Sequence, residues 1–225
     1  ADGALYAAEV TVWCANGVLA FAAASSVATA GTTVTAALTA SGHRAVLDAT
    51  PFGLPVYTKL GFAPFWSFRR WRLDPSGSVV QGVRQLRPAD WPEIVALDAA
   101  ANGVPRDRLL RAIGARLPAA ARVAVAEGRI EGFALARDGR LAPQIGPVVA
   151  RDGRSAQRLI AAVLAALPAG QGVVIDLADS QTELAAWLAG RGAAPQRPFT
   201  RMAVGTAPLP GDASLIVAPI GPEFG

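Results

Sequence analysis

The apolar positions of this chain fall into short runs separated by turn residues, and the runs alternate between strand and helix spacing. Ala45-Val46-Leu47 ahead of Asp48 predicts a strand from Arg44 to Asp48. Leu54 to Leu60 reads as a short helix closed by Gly61, and Phe65 to Leu73 as an aromatic strand. Asp74-Pro75-Ser76-Gly77-Ser78 is turn chemistry and serves as the expected linker. Beyond it come a strand over Val83 to Leu86 and a helix to about Ala100, with Asp90 as its cap and Pro92 in its first turn. A second helix, Arg106 to Leu117, gathers Leu109, Leu110, Ile113 and Leu117 on one face. Strands follow at Arg122 to Ala126, Gly132 to Arg137 and Gln144 to Ala150, then helix Ser155 to Leu167. Strand Val173 to Leu177, helix Gln181 to Ala189 and a Pro/Gly-rich tail complete the reading. This order predicts a mixed α/β layer fold.

One pattern occurs twice, about 128 positions apart: an apolar strand, an acid, a turn, a short helix and a second strand. The first copy carries Asp48, Gly61 and Phe68-Arg69-Arg70-Trp71; the second carries Asp176, Gly192 and Phe199-Thr200-Arg201-Met202. A spacing this long exceeds a solenoid period and fits a duplicated domain. The expected division is therefore residues 1–73, a linker at 74–82, a second domain at 83–205 and a tail at 206–225. Tyr57 falls opposite Leu188, so the repeat holds a phenolic proton donor in one copy only.

With 225 residues, 52% of them hydrophobic, the chain has ample core for two domains. The net charge of +4 comes almost wholly from scattered Arg, the pattern of a solvated surface and not of a nucleic-acid footprint. A single Cys14 fits a reducing, cytoplasmic compartment, and one Cys with one His, His43, leaves no zinc site; no metal is expected. The chain starts at Ala1, which reads as a truncated piece. Up to Gly42 it holds no Lys or Arg, only Asp2 and Glu9. The uncharged stretch Val10 to Gly31 raises a membrane span or signal peptide, but no basic flank precedes it and Asn16, Ser25, Ser26 and several Thr dilute it. A buried strand and helix is the reading adopted, with no membrane partner.

Leu47-Asp48-Ala49-Thr50-Pro51 through Tyr57, Lys59, Leu60, Gly61 and Phe62, taken with this element order, resembles the GNAT acyltransferases. More narrowly it looks like bacterial two-domain members, here a truncated GNAT-like domain followed by a complete one. The resemblance implies an α/β fold with a mixed sheet and transfer of an acetyl group from acetyl-CoA, as co-substrate, to a small-molecule or protein amine. It also implies an Arg/Gln-x-x-Gly-x-Gly/Ala loop whose backbone N–H groups hold the donor's pyrophosphate at a helix start. In the first copy that loop falls on Ala22 to Val27, placing Ser25, Ser26 and Val27 as donor-binding positions with neither Arg nor Gly among them. In the second it reads Arg151-Asp152-Gly153-Arg154-Ser155-Ala156, with Arg154 where the close-approach Gly belongs. Three readings of the first loop stand open: a shifted reading frame, a degenerate loop, or a helix opening at Gly31 instead.

By the same resemblance Tyr57 is the general acid that protonates the departing thiolate, and Thr50, Gly53 and Leu54 line the pantetheine and pyrophosphate arm. The bland readings are a half-buried Tyr packed on its strand and plain turn chemistry at Gly53. Asp48 either positions an amine or caps the Pro51 turn. Phe65, Trp66, Phe68 and Trp71 read as core ahead of an acceptor wall. Asp176 and Asp179 sit beside no Tyr, which makes the second domain a non-catalytic partner that covers or completes the acceptor pocket. Glu223, in the tail, is either folded back near a domain boundary or part of a disordered end. The rival to an N-acetyltransferase is a non-catalytic module that senses a ligand or binds a partner.

Overall fold

The computed structural model describes residues 45–75, 80–205 and 210–222. Along the chain run β1 (Val46–Ala49), α1 (Leu54–Lys59), β2 (Phe62–Leu73), β3 (Val83–Gln85), α2 (Trp91–Asn102), α3 (Asp107–Gly114), β4 (Arg122–Ala126) and β5 (Arg129–Arg137). Then come β6 (Gln144–Ala150), α4 (Gly153–Leu164), β7 (Val173–Ala178), α5 (Thr182–Gly190), β8 (Ala194–Val204) and β9 (Ile216–Ala218). The fold is the mixed α/β arrangement that the periodicity predicts.

Local chemistry sets the boundaries. Helix α2 stops at Gly103, whose φ of 74° reverses the chain in a conformation that a Cβ would strain. The expected cap of that helix is not one: the Asp90 carboxylate accepts from the Arg87 backbone N–H at 2.6 Å and from both terminal nitrogens of the Arg84 guanidinium at 2.7 and 2.8 Å. A 3-10 turn over Pro88–Asp90 points this carboxylate back along the chain, where the guanidinium holds it more strongly than a helix N–H can.

The described residues belong to two compact units. The first holds 45–67, 198–205 and 222; the second holds 68–75, 80–197 and 210–221. The expected division at 74–82 is not where these units part. Strand β2 passes from the first into the second between Ser67 and Phe68, and β8 passes from the second into the first between Arg197 and Pro198. Each copy of the sequence pattern thus gives its closing strand to the unit that holds the other copy's acidic strand.

In the first unit β1 pairs antiparallel with β8, Leu47 opposite Met202 and Asp48 opposite Arg201. In the second, the later part of β2 pairs antiparallel with β7, Trp71 opposite Ile175 and Arg70 opposite Asp176. Strand β7 runs parallel to β6, and β6, β5, β4 and β3 follow as an antiparallel meander. The core of this unit lies under α4 and α5, with Leu159, Ile160, Val163, Ile175 and Leu188 buried together. At about 1.5–3 kcal/mol for each large aliphatic side chain fully buried, such a cluster is the main favourable term for the unit.

The Pro/Gly-rich tail also folds. Strand β9 pairs with β6, and Val217 and Ala218 join the core of the second unit. Glu223 lies outside the described residues, as do Ser25, Ser26, Val27, Cys14 and His43. Among the described residues no helix is long and apolar enough to cross a membrane, and no group of three or more His, Cys, Asp or Glu stands close enough to hold a metal ion.

Candidate functional site

In the first unit, β1 ends at Ala49 and the chain turns through Thr50–Gly53 into α1. The turn is closed by its own backbone: Gly53 N–H and Leu54 N–H donate to the Thr50 carbonyl at 2.9 and 3.0 Å, and Gly53 N–H also reaches the Thr50 hydroxyl at 3.3 Å. Pro55 sits in the first turn, where its missing N–H costs nothing. One turn later Tyr57 faces back over the loop. A Cβ added at Gly53 would stand 3.0 Å from the Tyr57 ring carbon Cε2, so the absence of a side chain at 53 makes room for the ring. Phe62 meets it edge-on at 6.0 Å between centroids, and Ala45, Leu47, Ala49 and Met202 complete the cluster. Burial pushes the phenol above its ordinary pKa of 10.0, because the phenolate would lose its hydration. Tyr57 is therefore neutral and a proton donor throughout the physiological range.

Thr50, Gly53, Leu54 and Tyr57 are thus brought together on one turn and its helix. The aromatic strand divides: Phe68 is wholly buried, Phe65 is exposed, and the half-buried Trp66 carries the Arg201 guanidinium 4.9 Å from its ring centroid.

Asp48 is held in a buried ion pair. Its carboxylate accepts from Arg201 Nε and Nη2, both at 2.8 Å, and it is completely buried. Asp176 repeats the arrangement with Arg70, at 2.8 and 2.7 Å, and also accepts from Gln144 Nε2 at 2.8 Å. Gln144 in turn accepts from Arg137 at 2.7 Å. Sequence reasoning missed these arginines, although the signal was present: each copy of the pattern places one Arg, 70 or 201, at the matching point of its closing strand.

In the second unit, α4 begins at Gly153 with Asp152 as its cap, accepting from the Ser155 backbone N–H at 2.8 Å and from the Ser155 hydroxyl at 2.9 Å. Partial burial pushes this carboxyl up, but the bonds from Ser155 and the Arg154 N–H outweigh that and hold it below its ordinary value of 3.8. A hollow of about 610 Å³ opens beside the starts of α4 and α5, lined by Gly153, Arg154, Arg158, Ser180, Gln181 and Glu183 among others.

The depressed Asp152 pKa gives a stability prediction. A carboxylate that titrates lower when folded contributes stability above its unfolded pKa, and that contribution is lost as pH falls through the folded value. Asp152→Asn is therefore expected to lower the melting temperature near neutral pH and to narrow the gap to wild type toward about pH 2. Thermal melts across that range would test it; a gap that widens on acidification would refute the assignment.

The model of the Acetyltransferase (GNAT) domain matches residues 94–218, more than half of the chain. The chain belongs to the GNAT acetyltransferase family. Solved structures agree on the GNAT fold. A candidate acetyltransferase from Pyrococcus horikoshii is 22% identical with a TM-score of 0.68, over 93% of this chain and 71% of that one. A GCN5-related N-acetyltransferase from Sphaerobacter thermophilus is 14% identical with a TM-score of 0.52, over 76% and 62%. Another from Kribbella flavida is 15% identical with a TM-score of 0.52, over 78% and 74%. No curated protein matches the sequence. The GNAT match begins within α2 and runs through β9, whereas the Tyr57 turn, β2 and β3 precede it.

Proposed function

We propose that this GNAT protein is an acetyl-CoA-dependent N-acetyltransferase whose chemistry runs at the Tyr57 turn of the first unit. The observation that carries the reading is a buried, neutral phenol seated over Gly53 at the turn where β1 ends. In the reaction the acceptor amine attacks the thioester carbonyl, a C–N bond forms, and the C–S bond breaks with its electron pair on sulfur. The Tyr57 hydroxyl gives its proton to that sulfur, the amine loses its own to solvent, and solvent returns a proton to Tyr57. Thr50, Gly53 and Leu54 flank the donor arm, with Gly53 allowing close approach. Ser25, Ser26 and Val27 keep their assignment to the pyrophosphate end.

The acceptor is a small-molecule or protein amine, with neither nucleic acid nor membrane as a partner, and the tandem protein acts in the bacterial cytoplasm. A thiol-release assay with acetyl-CoA and a panel of primary amines and lysine peptides tests this. Turnover with one of them is the expected result. No turnover with any, together with no calorimetric heat from CoA at millimolar concentration, would leave the rival, a non-catalytic binding module.

A further inference from the structure

Strands β6 and β7 are parallel neighbours at their beginnings, Gln144 opposite Val174 and Ile145 opposite Ile175. Farther along, that edge of β6 is taken by β9: Val148 stands opposite Ala218 and Val149 opposite Ile216, while β5 holds the other edge. Strand β9 also lies against β7, so it fills the wedge between two diverging parallel strands. A crevice of this kind, at the carboxyl ends of parallel strands and beside the start of the helix that follows, is where an α/β sheet binds an extended ligand with a phosphate end. A free β6 edge would hold the amide-bearing arm of such a ligand as an added strand.

The occupant is built into the sequence. Ile216 to Gly221 are all buried. A Cβ at Gly146, in β6, would stand 2.2 Å from the Pro219 carbonyl oxygen, so this strand admits the tail only as glycine. Upstream, Gly103 and Gly211 let two backbones touch: a Cβ on Gly103 would meet Pro210 at 2.4 Å, and Asp212 N–H donates to the Ala100 carbonyl at 2.8 Å. At the start of α4, the Asp152 carboxylate already takes the Ser155 N–H that a phosphate would use, and its charge opposes an anion there.

We propose that residues 210–221 are an internal occupant of the second unit's donor wedge, and that this unit is closed to acyl-CoA while β9 is in place. The chain then offers a donor site at the Tyr57 turn and a closed one in the second unit. The test uses the full chain and CoA as the probe. In hydrogen exchange, the amides of Ile216–Ala218 and Ile220 are expected to keep their protection at millimolar CoA. Loss of that protection on adding CoA would overturn the proposal, since it would show donor displacing the strand. The variant Val217→Asp/Ile220→Asp, which drives the strand out, is expected to bind a further equivalent of CoA by calorimetry. A variant with wild-type circular dichroism and unchanged stoichiometry would also overturn it; should the variant not fold, the exchange result on the wild type decides alone. Failure of the Tyr57 mechanism would show in turnover and leave both readouts unmoved.

Discussion

Asp176→Ala is expected to lower the free energy of unfolding by about 3–5 kcal/mol, the usual consequence of stripping one partner from a buried ion pair. At an m-value of about 2 kcal/mol/M, that moves the urea midpoint down by about 1.5–2.5 M. The size follows from the burial. The Asp176 side chain is 0% exposed and Arg70 17%, and the guanidinium is held by two short parallel bonds. Removing the carboxylate takes the bidentate acceptor from Arg70 between β2 and β7 and an acceptor from Gln144 as well. Removing both charges is a different experiment. Arg70→Met/Asp176→Leu replaces the pair with apolar volume and leaves no orphan charge, so it is expected to recover more than half of the loss. Two additive single effects, or a loss under about 1 kcal/mol for Asp176→Ala, would show that this pair does not hold the strands. Asp48 and Arg201, equally enclosed in the first unit, should give the same pattern.

These pairs also mark where the sequence stops being readable. The strand, acid, turn and helix of each copy are local patterns, and β1, α1, β7 and α5 stand within a residue or two of where the periodicity puts them. Helix α2, read to about Ala100, runs on to Asn102 before Gly103 stops it. What the pattern does not encode is which strand lies beside which. The Asp176–Arg70 bond spans 106 residues and the Asp48–Arg201 bond 153, and partner choice at that range depends on the sheet as a whole. With each copy read as self-contained, its acid had no visible partner, which is why Asp48 was open to functional and capping roles. Strand β9 was hidden for a related reason. Three residues between glycines and prolines carry no period of their own, and only the unoccupied edge of β6 makes them a strand. The turn at Thr50–Leu54 and the ring of Tyr57 were legible because their interactions close within a few residues.

Tyr57→Phe is expected to lower kcat by roughly one to three powers of ten while leaving the affinity for CoA nearly unchanged, the signature of lost proton transfer. The substitution removes one oxygen from a ring whose packing is otherwise kept. Phe62 still meets it edge-on and Gly53 still makes room, so the cluster of Leu47, Ala49 and Met202 should hold its shape. Stability is a control for that claim, and the melting temperature should move little. A pH profile separates a proton donor from a merely structural ring. Because burial raises the phenol's pKa from its ordinary value, wild-type kcat should show no fall from Tyr57 deprotonation near neutral pH. Rate depends on the proton's availability to a thiolate leaving group, so acetyl thioesters of more acidic thiols, which depart without help, should lose less on Tyr57→Phe than acetyl-CoA does. Equal losses across those donors would mean that the hydroxyl positions the donor instead of protonating it. Unchanged turnover in the folded variant would remove Tyr57 from the mechanism.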